Sequence, residues 1–285
     1  TNRGYSGGHN DGLRTLAQSD VAIVLNPDGV LASDFVEQGL RGFTSVRVGV
    51  VAPLLLCPGG QVIDAYGDVL LPTLRAVNHY AGFPLSAFER LKPPANPWGF
   101  TGAAAFLRRR ALEDVALQGE MFDEQLFAYR DDVDLSWRFR LRGWEIIGAP
   151  KARATHARAA RSGEEKEPLV AQLSWRNYYL VLLKDVPTRT LFAHVPGVFL
   201  EGLARTLQWV FTPELWSAFP ALIRLSPQFL QKRSRVLARA SAATYAAGDP
   251  QRRIGQFPDG RIDFSHADMA PVLSVVARRG TTILL

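Results

Sequence analysis

Cysteine is almost missing from this 285-residue chain, Cys57 being the only one. That excludes a disulfide framework and any zinc site built on cysteines, and it suits a reducing cytoplasm. No apolar run approaches the roughly 18–20 residues that a membrane-spanning helix needs. There is no Walker loop, since no glycine-rich turn carries Gly-Lys-Ser/Thr, and no spaced GxGxxG follows a strand. Internal repeats and low-complexity tracts are also lacking. No secretory signal opens the chain, and residue 1 is Thr1 rather than Met, so an upstream segment is expected.

What is present is ordinary globular material, 47% hydrophobic and 21% charged, with enough apolar mass for one large domain or a core plus an extension. The net charge of +6 comes almost entirely from arginine, whose planar fork suits phosphate, and it favours anionic partners such as phosphorylated small molecules or membrane surfaces. Solvated surface charge is the simpler reading of composition alone. Nucleic acid is not expected as a partner, because the arginines form no single stripe with interleaved aromatics.

The first half alternates short β-rich runs with helical patterns, which predicts a layered α/β domain. Helices are expected over 10–18, from about Ser33 (capped by that residue), near Arg110 and over 131–141. Strands are expected over 21–25, 46–51, 102–107 and 144–147. Residues 53–97 read as a long, partly ordered binding loop with a hairpin at 61–65. From 169 to about 245 the pattern is helical, broken at Pro187, Pro196, Pro213, Pro220 and Pro227. This stretch is rich in Phe, Trp and Leu and runs into Lys232, Arg233, Arg235 and Arg239. It fits either an interfacial membrane-binding segment or a helical subdomain packed on the core.

Four stretches carry the residues suited to chemistry. The opening run from Asn2 to Leu13 is dense in glycine and leads into a helix, so backbone can approach a ligand closely. Leu25-Asn26-Pro27-Asp28-Gly29 places an aspartate just past a buried strand, at a sheet's carboxyl edge, where open α/β folds bind ligands. Asn26 and Asp28 could share one hard cation; a plain turn aspartate is the alternative. Phe122-Asp123-Glu124 and Asp131-Asp132-Val133-Asp134 crowd acids at a helix start, either as a capping cluster or as a set whose repulsion lifts one pKa toward a general base. His156 gains meaning only if its segment returns to Asp28.

Together these pieces resemble glycosyltransferase family 2, of the GT-A fold, and within it the bacterial rhamnosyltransferase-like branch that builds surface polysaccharide. The resemblance rests on the opening Asn-x-Gly-Tyr-x-Gly-Gly-x-Asn-x-Gly run, Leu-Asn-Pro-Asp, the stretch from Gly102 to Arg110, Phe122-Asp123-Glu124, Asp131 to Arg138, and His156. It covers residues 1–165, and the helical remainder resembles extensions found in that branch. It implies a Rossmann-like mixed sheet flanked by helices, N-terminally incomplete because the family's first strand–helix unit has no counterpart here, and followed by a helical extension. The expected divisions are 1–167, 168–247 and a tail at 248–285. An exposed sheet edge would invite association, including a homodimer.

The resemblance also implies roles. Asn2, Gly4, Gly7, Asn10, Asn26, Asp28 and Gly102 would bind a nucleotide-diphosphate sugar. Asp28, joined by His156, would hold Mg²⁺ or Mn²⁺. Asp132 would take the proton from the acceptor hydroxyl, and Asp131 would orient that acceptor, with Trp98 stacking on a sugar. The implied enzyme is an inverting transferase using dTDP-rhamnose or a UDP-sugar. Its acceptor would be a glycan or lipid-linked glycan, and it would work in the cytoplasm at the inner face of the plasma membrane. A non-catalytic carbohydrate- or membrane-binding module is the competing expectation.

Overall fold

A computed structural model describes residues 2–91, 93, 95–157 and 168–240. Its centre is a mixed six-stranded sheet. Five strands run in the order β1 (Val21–Leu25), β7 (Ala104–Arg108), β3 (Val48–Leu56), β8 (Glu145–His156) and β2 (Gly29–Leu31), and β4 (Ile63–Ala65) pairs with the end of β3. Every residue of β3 is buried, as expected of a continuous apolar run at the middle of a sheet. β3 runs parallel to β8 and antiparallel to β7, and β7 is antiparallel to β1. The carboxyl ends of β1, β3 and β8 therefore share one edge. The expected mixed α/β sheet with flanking helices is what forms.

Helices α1 (Gly4–Thr15), α4 (Arg109–Val115) and α5 (Asp131–Leu141) cover one face through Leu13, Leu112, Val115, Leu135 and Phe139. α2 (Phe35–Leu40) covers the other, where Phe35 stacks on Phe106 with ring centroids 5.0 Å apart. α6 (Pro168–Asp185), α7 (Thr188–Ala193), α8 (Val195–Phe211) and α9 (Ala218–Ala238) follow. Trp175, Tyr178 and Leu180 of α6 and Phe229 of α9 share one apolar cluster with Trp98, Leu126 and Trp137 from the first half. The expected tail at 248–285 lies outside the described residues.

Several boundaries differ from the sequence reading, each for a tertiary reason. α1 starts at Gly4, six residues before the expected start, despite the cost of glycine in helices. Asn2 Oδ1 accepts from the Gly4 N–H at 2.8 Å, and Asn10 fastens the middle of the helix to Phe122. Ser33 caps nothing: Ala32 N–H still donates to Arg153 O in β8, so the chain turns only at Asp34, the residue before α2. The stretch 53–97 is not one loop. β3 continues to Leu56, and β4, a two-stranded hairpin of β5 (Asp68–Leu70) and β6 (Ala76–Asn78), and α3 (Leu85–Leu91) follow. Pro53 is tolerated inside β3 because the ladder with β8 slips there, Pro53 facing Ala149 and Leu54 facing Arg153. β8 is twelve residues long, so His156 ends a strand and does not sit in a loop.

Candidate active site

Antiparallel pairing of β2 with β8 sets Gly29 opposite His156, which delivers Asp28 to the histidine ring. His156 Nε2 lies 3.2 Å from Asp28 Oδ1 and 3.3 Å from Asn26 Nδ2. On its other side Nδ1 lies 2.9 Å from Asp64 Oδ2 in β4. Asp64 is a buried carboxylate set against Nδ1, which leaves Nε2 as the ring nitrogen turned toward Asp28. Nε2 and Asp28 Oδ1 are close enough to ligate one hard cation side by side. Asp28 is the half-exposed member of the set, and His156 and Asp64 are nearly closed off from solvent.

A second group of acids sits beside the first through the backbone. Asn26 N–H donates to Ala103 O at 2.9 Å, and the adjacent Gly102 N–H donates to Asp132 Oδ2 at 2.8 Å. Gly102 O in turn accepts from the Tyr5 hydroxyl at 2.7 Å. A Cβ on Gly102 would stand 2.9 Å from that hydroxyl and 3.5 Å from Asp132 Oδ2, so only glycine fits without moving Tyr5. The ring of Tyr5 stacks on His9, with centroids 3.9 Å apart, and meets Phe122 edge-on. Asp28, His156 and Asp132 thus share one sheet edge, joined through Asn26, Ala103 and Gly102.

Of the acid pair that opens α5, Asp131 is buried and Asp132 is partly exposed. Burial, reinforced by the neighbouring Asp132 charge, holds the Asp131 carboxyl well above the usual range. The two carboxyls of the pair therefore sit in different surroundings, Asp131 pushed toward its neutral form and Asp132 reached by solvent. Burial also raises the Tyr5 phenol, with the charges of Asp131 and Asp132 adding to the shift.

α5 is mounted on a strained turn. Phe127, Tyr129 and Arg130 all adopt left-handed backbone, with φ of 69°, 66° and 68°. Each costs about 1–2 kcal/mol for a residue with a side chain. Buried Asn177 of α6 holds the turn by donating through Nδ2 to the carbonyls of Leu126, Ala128 and Tyr129 at 2.9, 2.9 and 2.7 Å. Arg130 reaches Ala76 O at 2.8 Å.

Beneath the turn lies a buried charge network. Lys184 Nζ is 2.6 Å from Asp123 Oδ2 and also contacts Asp134, which pairs with Arg138 at 2.7 Å. Lys232 of α9 reaches Asp123 Oδ1 at 2.6 Å. Burial favours the neutral forms, yet the opposing charges win. Asp134 is held below, and Lys184 above, its ordinary range.

Not every expected residue joins the site. Asn10 is 2% exposed and bonds both ways with the Phe122 backbone, Nδ2 to O at 2.8 Å and N–H to Oδ1 at 2.9 Å. Asn2 ties off Gly4, and Gly7 is buried under Arg3. A side chain on Gly4 would strike Phe127 O. Asn10 and Gly4 thus fasten α1 against the 122–127 segment, while Asn2 and Gly7 serve the first turns of the helix itself. Trp98 is 3% exposed and meets Trp137 edge-on in the core, so it presents no open face for a sugar. A groove of about 290 Å³ runs between α1 and β1 along Gly8, Gly12 and Ile23, and none of Asn26, Asp28, Asp132 or His156 lines it. Three participants escaped the sequence reading, Asp64, Tyr5 and Asn177. Asp64 fell inside the supposed loop, and neither Tyr5 nor Asn177 has a local pattern that signals its contacts.

Among the described residues no group of three or more His, Cys, Asp or Glu is arranged to hold a metal ion. The pair Asp28 and His156 nevertheless suits a hard cation that takes its other ligands from phosphate oxygens and water. A histidine ligand ordinarily sets its other nitrogen against a carboxylate, and His156 Nδ1 lies 2.9 Å from Asp64 Oδ2.

In class, the protein resembles rhamnosyltransferase-like glycosyltransferases, as the motifs implied. No family model matches the chain. It is 30% identical over 158 residues to the N-acetylglucosaminyl-diphospho-decaprenol L-rhamnosyltransferase of two Mycobacterium tuberculosis strains, CDC 1551 / Oshkosh and H37Rv. That match takes in 51% of this chain and 50% of the relative, so the chain spans about half the length of the curated relatives it matches. Among solved structures it is similar to GalNAc-T7 with UDP, GalNAc and Mn²⁺, at 12% identity and a TM-score of 0.44, over 63% of this chain and 34% of the other. It is also similar to the mannosyltransferase PcManGT from Pyrobaculum calidifontis in complex with GDP-Man and Mn²⁺, at 16% identity and a TM-score of 0.39, over 96% and 60%.

Proposed function

We propose that the chain is the catalytic part of an inverting glycosyltransferase. It moves a sugar, rhamnose from dTDP-rhamnose or the sugar of a UDP donor, to a glycan or lipid-linked glycan in cell-surface polysaccharide synthesis. The observation that carries this is the shared edge where Asp28 and His156 face each other beside an Asp132 fixed by the Gly102 N–H. The similarity to a rhamnosyltransferase named for a decaprenol-linked substrate supports both donor and acceptor class.

Asp28 and His156 would hold Mg²⁺ or Mn²⁺, which when bound would neutralise charge on the donor diphosphate. Asp64 keeps His156 turned toward Asp28. Gly102, on whose backbone Tyr5 and Asp132 close, would floor the donor-sugar side of the site, and Asn26 would bind the donor beside His156. Asp132 accepts the proton of the attacking acceptor hydroxyl, while its hydrogen bond from Gly102 fixes the direction of its oxygens. Asp131, whose carboxyl is pushed toward its neutral form by burial and by the Asp132 charge, would orient the acceptor side. Attack on the face opposite the leaving diphosphate inverts the anomeric centre. The protein would work at the inner face of the plasma membrane, where a lipid-linked acceptor resides.

Asp132→Asn tests the reading. Transfer from dTDP-rhamnose or a UDP-sugar should fall by about 10²–10⁴, while Mn²⁺-dependent thermal stabilisation by the donor persists. Unchanged turnover in the variant would defeat the assignment.

A further inference from the structure

Helix α8 is built inside out. Its exposed face carries Phe199, Leu200, Leu203, Leu207, Val210 and Phe211, with Phe199 at 68% exposure. Its only two charged residues, Glu201 and Arg205, point inward. They pair at 2.9 Å, Glu201 lies 3.7 Å from Arg75, and Arg205 sits 4.1 Å over the Tyr178 ring. A helix on a protein in water does the reverse, placing its apolar stripe against the core. The feature extends beyond α8. Twelve of the 22 large hydrophobic side chains exposed among the described residues fall between Phe192 and Leu230, including Trp216 at 54%. Soluble monomers seldom leave so continuous an apolar surface uncovered.

Charge selects the occupant. Residues 188–239 contain seven Lys or Arg and two acids, so this one stretch supplies +5 of the chain's net +6. The exposed cations among them include Arg189, Arg224 and Arg235. Apolar side chains flanked by arginine match a surface that is oily in its plane and anionic at its border. None of the described helices is long and apolar enough to cross a membrane, and α8, at 17 residues, fits a helix lying in the interface.

We infer that the outward face of α8, with Phe192 and Trp216 at its ends, seats in the headgroup region of an anionic lipid bilayer. The inference deepens the reading above, since a lipid-linked acceptor would be met on the same surface, but it stands on the apolar face of α8 and the cations of residues 188–239 and does not need transfer to occur. Because Glu201 and Arg205 hold α8 to the core, the seating face is rigidly joined to the body that carries Asp132 and does not hang from a tether.

The test uses the full chain and sedimentation with phosphatidylcholine vesicles that contain or lack phosphatidylglycerol. Binding should need the anionic lipid, weaken with salt, and shift Trp216 emission to the blue, a shift lost in Trp216→Phe. The doubly substituted Phe199→Asp, Leu203→Asp should bind roughly tenfold or more weakly, with an unchanged circular dichroism melt. Since both positions are exposed, that variant is expected to fold; should it not, Trp216→Phe alone still reports on the contact. Vesicle binding equal to wild type in the double variant would overturn the proposal. So would a wild-type chain that ignores vesicles and either forms a dimer that the double variant loses or has its apolar face covered by residues 241–285. Vesicle binding is read apart from catalysis, so a chain that binds lipid yet transfers no sugar would count against the enzyme reading only.

Discussion

The Nδ2 atom of Asn177, in the middle of α6, lies 2.7 Å from the carbonyl oxygen of Tyr129 in the turn that launches α5. It also reaches the carbonyls of Leu126 and Ala128, so one side chain closes a turn in which three non-glycine residues are left-handed. The two residues after that turn are Asp131 and Asp132. Asn177→Ser would leave buried carbonyls without their donor, at about 1–3 kcal/mol, and let the start of α5 shift. Turnover should fall by roughly tenfold to a hundredfold, with donor KM and donor-dependent stabilisation unchanged. If kcat stays at wild type while only the melting temperature drops, Asn177 supports the fold and does not position the carboxylates.

Asp64 makes a second prediction. As an acceptor facing His156 Nδ1, it dictates which ring nitrogen is offered to Asp28. Asp64→Asn keeps the shape but weakens that orientation. Mn²⁺ should then bind roughly tenfold to a hundredfold more weakly, seen by titrating the metal against the melting temperature with nucleotide present. The metal-free melt should move little. An identical Mn²⁺ titration in the variant would remove Asp64 from the site.

A third concerns acid. Burial of His79, stacked on Tyr80 with ring centroids 4.0 Å apart, lowers its pKa to about 4. The unfolded chain would have a value near 6.5. Because the folded value is depressed, the neutral ring's contribution is complete above pH 6.5 and is lost as pH falls toward 4, by at most about 3 kcal/mol. Melting temperatures recorded from neutral pH down to about pH 4.5 should decline in the wild type and flatten in His79→Gln. An equal decline in both proteins would place the acid sensitivity on another group.

The sequence made the sheet legible where apolar runs were long and closed by turn residues, as at β1, and the helical pattern of 131–141 is realised as α5. It misled where elements are held by distant partners. β4, β5 and β6 have three residues each and no periodicity to read; backbone ladders, β4 on β3 and β5 with β6, not local propensity, make them strands. The glycines of α1 suggested an approach for ligand, yet Gly4 and Gly7 serve close packing against Phe127 and Arg3, while Gly8 and Gly12 do lie open. Asp28 and His156 could be expected together because a strand end and a motif each pointed at the same edge. Asp64 could not, since its meeting with His156 depends on how β4 folds back on β3.

Lys184 and Asp123 have one more implication, for anyone who would cut this chain into parts. Lys184 stands on α6, but the carboxylates it neutralises belong to Asp123 and to Asp134 of α5. A fragment stopped before residue 168 would leave Asp134 its Arg138 but strip Asp123 of both Lys184 and Lys232 and Tyr129 of its tie, leaving Asp123 uncompensated under the very helix that bears Asp132. The division between a transferase half and an accessory half can be drawn on paper, but scissors placed there would pass through the foundations of the site.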